Sequence, residues 1–120
     1  MIFKGISRVF SLKNDEQYNT IGAFWDELSA IYGLENLQGL GYCWKNDEIT
    51  YAIGLKTGEI EGSNFSMELP DEGWETAKGR TDNLREIYKE LYKISTLGLE
   101  IETFYENGDC EIKYQRNKTK

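Results

Sequence analysis

Histidine is absent from the 120 residues, and proline occurs once, as Pro70. Without histidine there is no Ser-His-Asp triad, no imidazole metal site and no ordinary near-neutral general base. Any chemistry must run on carboxylates, tyrosines or a thiol. Cysteine is scarce as well. Cys43 and Cys110 are too few for a disulfide scaffold and lack metal-ligand spacing, so free, reduced thiols and no metal or other cofactor are expected. Positive charge is also in short supply: 14 Lys and Arg stand against 21 Asp and Glu, a net charge of −7 at pH 7. Such a field repels nucleic-acid backbones and favours cationic small molecules or basic partners. No apolar run approaches the roughly 20 residues of a bilayer span. The opening "MIFKGISRVF" lacks the apolar core and cleavage site of a signal peptide. The expected address is the cytoplasm, with no membrane partner and no direct nucleic-acid partner.

What is present is enough for a core. With 39% of residues hydrophobic and 13% aromatic, the composition is that of a folded globule and not of a disordered chain. One domain over residues 1–120 is expected. The stretch "IFKGISRVFSL" opens as a strand. After a polar loop, "NTIGAFWDELSAIYG" puts Ile21, Phe24, Trp25, Leu28, Ile31 and Tyr32 at helical spacing, with Asn19 as N-cap and Gly33 as the stop. Then "GLGYCWKNDEITYAIGL" gives two short strands around Asn46-Asp47.

The same order then recurs. "FSMELPDEGWETAKGR" is extended but broken or bent at Pro70. "TDNLREIYKELYKIS" predicts a second amphipathic helix near residues 81–94, capped by Thr81, with Leu84, Ile87, Tyr88, Leu91 and Ile94 on its apolar face. "LEIETFYENGDCEIKY" predicts a hairpin turning at Asn107-Gly108, which lies 61 residues after the turn at Asn46. The expectation is an α+β fold of duplicated β-α-β-β units, about 1–56 and 64–116, joined by "KTGEIEGSN". They form an antiparallel sheet with two helices and a ligand cleft between the halves.

Alternate strand residues share a face. In the last hairpin Leu99, Ile101, Thr103 and Tyr105 line one side, and Glu100, Glu102, Phe104 and Glu106 the other. Taken alone, the three glutamates read as a solvated face. Tyr42, Tyr51 and Trp74 lie on strands or strand edges expected to border the cleft. Trp25 and Tyr88 lie on helix faces, where aromatic residues usually build core. Tyrosine and tryptophan, apolar but tipped with a polar group, suit half-wet positions in either place.

Several stretches in this order, "FKGISRVF", "FWDEL", "ITYAIGL", "ELPDEGW", "LREIYKELY" and above all "LEIETF", resemble the GyrI-like, or effector-binding, domains found alone and fused to bacterial transcription regulators. The resemblance spans nearly the whole chain. It implies two β-α-β-β repeats with a pocket between them for small, often cationic and aromatic molecules. It also implies that Glu102, in the penultimate strand with Phe104 beside it, faces that pocket and neutralises the ligand's charge, while Glu100 and Glu106 stay in water. The chain departs from the family pattern at Ala77, where an aromatic is usual after "GW", and at Thr81, where a glycine is usual.

The candidate ligand site is therefore Glu102, Phe104, Tyr42, Tyr51, Trp74, Trp25 and Tyr88, with no catalytic residue and no metal ligand. The leading expectation is a stand-alone module that captures cationic or amphipathic aromatic compounds without catalysis, linked to transcription regulation through effector sensing. One alternative is a hydrolase of reactive small molecules, with Glu102 as general base and Tyr51 or Tyr88 assisting. Another is a protein-binding module acting on gyrase or on a regulator.

Overall fold

The computed structural model of the chain describes residues 1–116. Its elements run β1 (Ile2–Ser11), α1 (Gln17–Tyr32), β2 (Leu37–Lys45), β3 (Glu48–Leu55), β4 (Phe65–Glu68), β5 (Glu75–Arg80), α2 (Leu84–Tyr92), β6 (Leu97–Phe104) and β7 (Asp109–Arg116). The fold is α+β. All seven strands join one antiparallel sheet in the order β4-β1-β3-β2-β6-β7-β5. Among the described residues, no helix is long and apolar enough to cross a membrane.

Local chemistry sets most boundaries. Gly33 ends α1 with φ of 89°, in the left-handed region that glycine enters at no steric cost. Both hairpins turn where the asparagines stand, with Asn46 at φ 56° and Gly108 at φ 92°. Asn19 and Thr81 are not the caps. α1 starts earlier, after Glu16, and α2 starts later, after a 3-10 turn over Thr81–Asn83. The Thr81 hydroxyl instead donates to the Asp109 carbonyl (3.3 Å), tying the start of α2 to the last hairpin. α2 stops at Tyr92, so Ile94 lies beyond it and is exposed, as is Ile31 on α1.

The extended segment interrupted at Pro70 becomes two strands at opposite edges of the sheet. β4 pairs with β1 and β5 pairs with β7. Proline offers no N–H to a ladder, so pairing ends before it. Its carbonyl accepts the Trp74 indole N–H at 2.8 Å, which fastens the crossing segment.

Both sheet faces are covered. On one, α1 brings Phe24, Trp25 and Leu28 onto Leu37, Tyr51, Ile53 and Phe104. α2 sets Tyr88 against Leu97, Ile112 and Tyr114. On the other face Phe3, Leu40, Ala52, Leu69 and Ile101 pack with Tyr42, Phe65 and Trp74.

Candidate functional site

Strand parity decides which side chains meet. In the central ladder Gly39 pairs with Glu102, Leu40 with Ile101 and Gly41 with Glu100. Gly41 also pairs with Tyr51, and Tyr42 with Thr50. Glu100, Glu102 and Tyr51 therefore rise on the helix side, over two glycines that have no side chain. Tyr42 falls on the far side.

The space above those glycines is a cavity of about 630 Å³. Its walls come from α1 through Tyr18, Ile21 and Trp25, and from α2 through Leu84, Arg85, Tyr88 and Tyr92. Both sets repeat at three- and four-residue intervals, the spacing that places helical residues on one face. Glu100, Glu102, Phe104 and Tyr51 form the floor.

Glu102 is 4% exposed and sits at the centre of a hydrogen-bond chain. The Tyr51 hydroxyl donates to its Oε1 and the Tyr88 hydroxyl donates to its Oε2. Trp25 Nε1 donates to the Tyr51 oxygen at 2.8 Å. An indole N–H can only donate, so Tyr51 must spend its own proton on Glu102. The Trp25 ring also meets Phe104 edge-on, with centroids 4.8 Å apart. Each partner fixes the next.

Glu100 departs from the expectation. It is not in water but 5% exposed, on the same floor, and its Oε2 is buried without a hydrogen-bond partner among the described residues. Among the described residues, no ion pair involves either glutamate. Of the charged side chains lining the cavity among the described residues, five are carboxylates (Asp26, Asp82, Glu86, Glu100 and Glu102) and one is a guanidinium. That guanidinium, Arg85, lies 4.7 Å over the Tyr18 ring.

Burial pushes the Glu100 carboxyl well above the usual range, and the negative charge of Glu102 adds to it. Glu102 is also raised by burial, but the Tyr51 and Tyr88 hydroxyls favour its ionised form. Of the two acids, Glu102 is the one whose ionised form is held by hydroxyl donors. Tyr51 and Tyr88 are held well above their usual value, chiefly by burial and then by the two glutamates, so both remain donors. Tyr18 is pushed up to about 12, mainly by burial.

These shifts have a sign. A carboxyl whose pKa is higher folded than unfolded binds its proton more tightly in the native state. Stability is then fullest below the unfolded value of about 4.3 and falls as pH rises toward the folded one. The chain should lose stability as pH rises above about 4.3, at up to about 1.4 kcal/mol per pH unit for one proton. Glu100→Gln should flatten that slope. Thermal unfolding across this range checks it, and a native profile that is flat or rises with pH contradicts it.

Of the residues singled out in the sequence, Glu102, Phe104, Tyr51, Trp25 and Tyr88 meet in the cavity. Tyr42 and Trp74 do not. They pack on the opposite face, where Tyr42 stacks on Phe65 with centroids 4.8 Å apart. Glu106 is exposed, as expected. Cys43 and Cys110 are free. Burial raises the Cys110 thiol, which therefore stays protonated and a poor nucleophile. Comparison with protein-family models, curated proteins and solved structures finds no match for this chain. Among the described residues, no group of acids and cysteines is arranged to hold a metal ion. Sequence reasoning missed Glu100, Tyr18 and Tyr92 as cavity residues. The signal for Glu100 was the pair of glycines at 39 and 41, which leave room opposite alternate residues of a neighbouring strand.

Proposed function

We propose that the chain is a small-molecule-binding module of the effector-binding kind, whose cavity takes a cationic aromatic or amphipathic compound. The observation that carries the ligand class is the pair of buried carboxylates, Glu100 and Glu102, with no cation paired to either among the described residues. A carboxylate in dry surroundings attracts a cation more strongly than one in water, because screening is reduced. The faces of Trp25 and Tyr88 add cation–π attraction of roughly 0.5–2 kcal/mol. A volume of about 630 Å³ is in the range of drug-sized ligand sites.

The cavity lies between two copies of a β-α-β-β unit. Supporting this, Leu40 stands opposite Ile101 in the central ladder, and these two are 61 residues apart, as Asn46 and Asn107 are. On that relation Gly39 and Gly41 are the counterparts of Glu100 and Glu102. One copy supplies the space and the other the charge. The resemblance of "LEIETF" and its companion stretches to effector-binding domains points the same way, with sensing for a transcription regulator as the corresponding role.

A thermal-shift titration with (naphthylmethyl)trimethylammonium and the neutral naphthylmethanol tests the ligand class. A cation at a hundredfold excess over its dissociation constant should add about 2.7 kcal/mol to stability, raising the midpoint by several degrees. The alcohol should do far less. No shift with the cation, or equal shifts with both, would overturn the proposal.

A further inference from the structure

The two glutamates on the cavity floor are not equivalent, and the difference bears on which cations the site takes. Glu102 already accepts one hydroxyl proton on each oxygen. Glu100, equally buried on the same floor, has an Oε2 with no hydrogen-bond donor among the described residues. A buried acceptor left unpaired is costly, and native structures generally satisfy such groups.

Resting on the cation-binding reading above, we infer that Glu100, and not Glu102, accepts the ligand's hydrogen bond, so that the cavity selects an aromatic ammonium bearing an N–H over a quaternary ammonium of the same shape. Glu102 supplies charge, held in place by Tyr51 and Tyr88. Glu100 supplies the open acceptor, and a cation bound beside it favours its ionised form. The terminal torsion of a glutamate is broad, so a turn of the carboxyl presents Oε2 to the cavity. Gly41 makes room for that side chain, since a Cβ there would come within 2.8 Å of Glu100 Oε1.

The selectivity follows from desolvation. An N–H carried into a buried site without an acceptor is left unsatisfied, which favours the quaternary cation. An open carboxylate reverses that sign, because a charge-assisted hydrogen bond forms with the N–H and none with a quaternary centre.

Calorimetric titration of the whole chain at neutral pH decides it. The probes are (naphthylmethyl)dimethylammonium, its trimethyl analogue and naphthylmethanol, on the native chain, Glu100→Met and Glu102→Gln. The native chain should bind the dimethyl cation about tenfold or more tightly than the trimethyl one. Glu100→Met should erase that preference. Glu102→Gln should weaken both cations by similar factors and keep it. Equal or reversed affinities in the native chain, or a preference that survives Glu100→Met, would overturn the assignment to Glu100 and leave cation binding intact. If neither cation outbinds the alcohol, both readings fall. The native-chain comparison stands whether or not either variant folds.

Discussion

Replacing Glu102 by Gln should weaken an aromatic cation by roughly ten- to a hundredfold and leave a neutral analogue nearly untouched. The substitution keeps shape and one acceptor oxygen but removes the charge. A charge-assisted contact is worth about 1.5–3 kcal/mol, which sets the expected range. The Trp25–Tyr51 link does not depend on the charge of residue 102, so the floor should hold its shape. The fold should survive, because an ionised carboxylate taken out of water contributes little net stability. Paired titrations of native and variant chains with the naphthyl cation and the alcohol measure this. Equal losses for both ligands, or none for either, would mean that Glu102 is a structural acceptor for two tyrosines and no more.

A single methyl group on the floor should do comparable damage by another route. In Gly39→Ala the new Cβ would stand 2.0 Å from the Tyr51 hydroxyl oxygen and 2.8 Å from Trp25 Cζ2. No real contact is that short, so Tyr51 must give way and release Glu102. Overpacking of this kind costs about 1–3 kcal/mol, and the lowered midpoint should come with at least tenfold weaker cation binding. Gly22→Ala is the contrast. Gly22 also lines the cavity, on α1, but its added Cβ meets nothing within 4 Å. In a helix interior that change should gain up to about 1 kcal/mol. Thermal unfolding of both variants should therefore move in opposite directions. A Gly39→Ala chain as stable as the native one contradicts the close packing of glycine, tyrosine and acid.

Much of this was legible in the sequence. The hairpins were written in Asn46-Asp47 and Asn107-Gly108, and the end of α1 in Gly33, because turns with positive φ admit few residue types. The shared face of Glu102 and Phe104 followed from the two-residue period of a strand. What the period leaves open is which face receives the helices. Reading Glu100 as solvated assumed that one side of β6 is wet, whereas helices cover one face and the crossing segment with β4 packs against the other. Tyr42 and Trp74 went to the wrong side for the same reason. Tyr42 alternates with Gly41, whose ladder partner is Tyr51, so only one of the two tyrosines can face the cavity. The split of β4 from β5 was hidden because Pro70 marks a break but not where the chain goes next.

The most direct measurement of the central claim is a crystal structure of the chain grown with (naphthylmethyl)dimethylammonium. The expected result places the ring between α1 and α2, against Trp25 and Phe104, with the ammonium nitrogen at hydrogen-bond distance, roughly 2.7–3.2 Å, from the Glu100 carboxylate. Tyr51 and Tyr88 would remain on Glu102. A ligand found instead against Tyr42 and Trp74 on the opposite face, or a cavity left empty by a ligand bound at the surface, would contradict it.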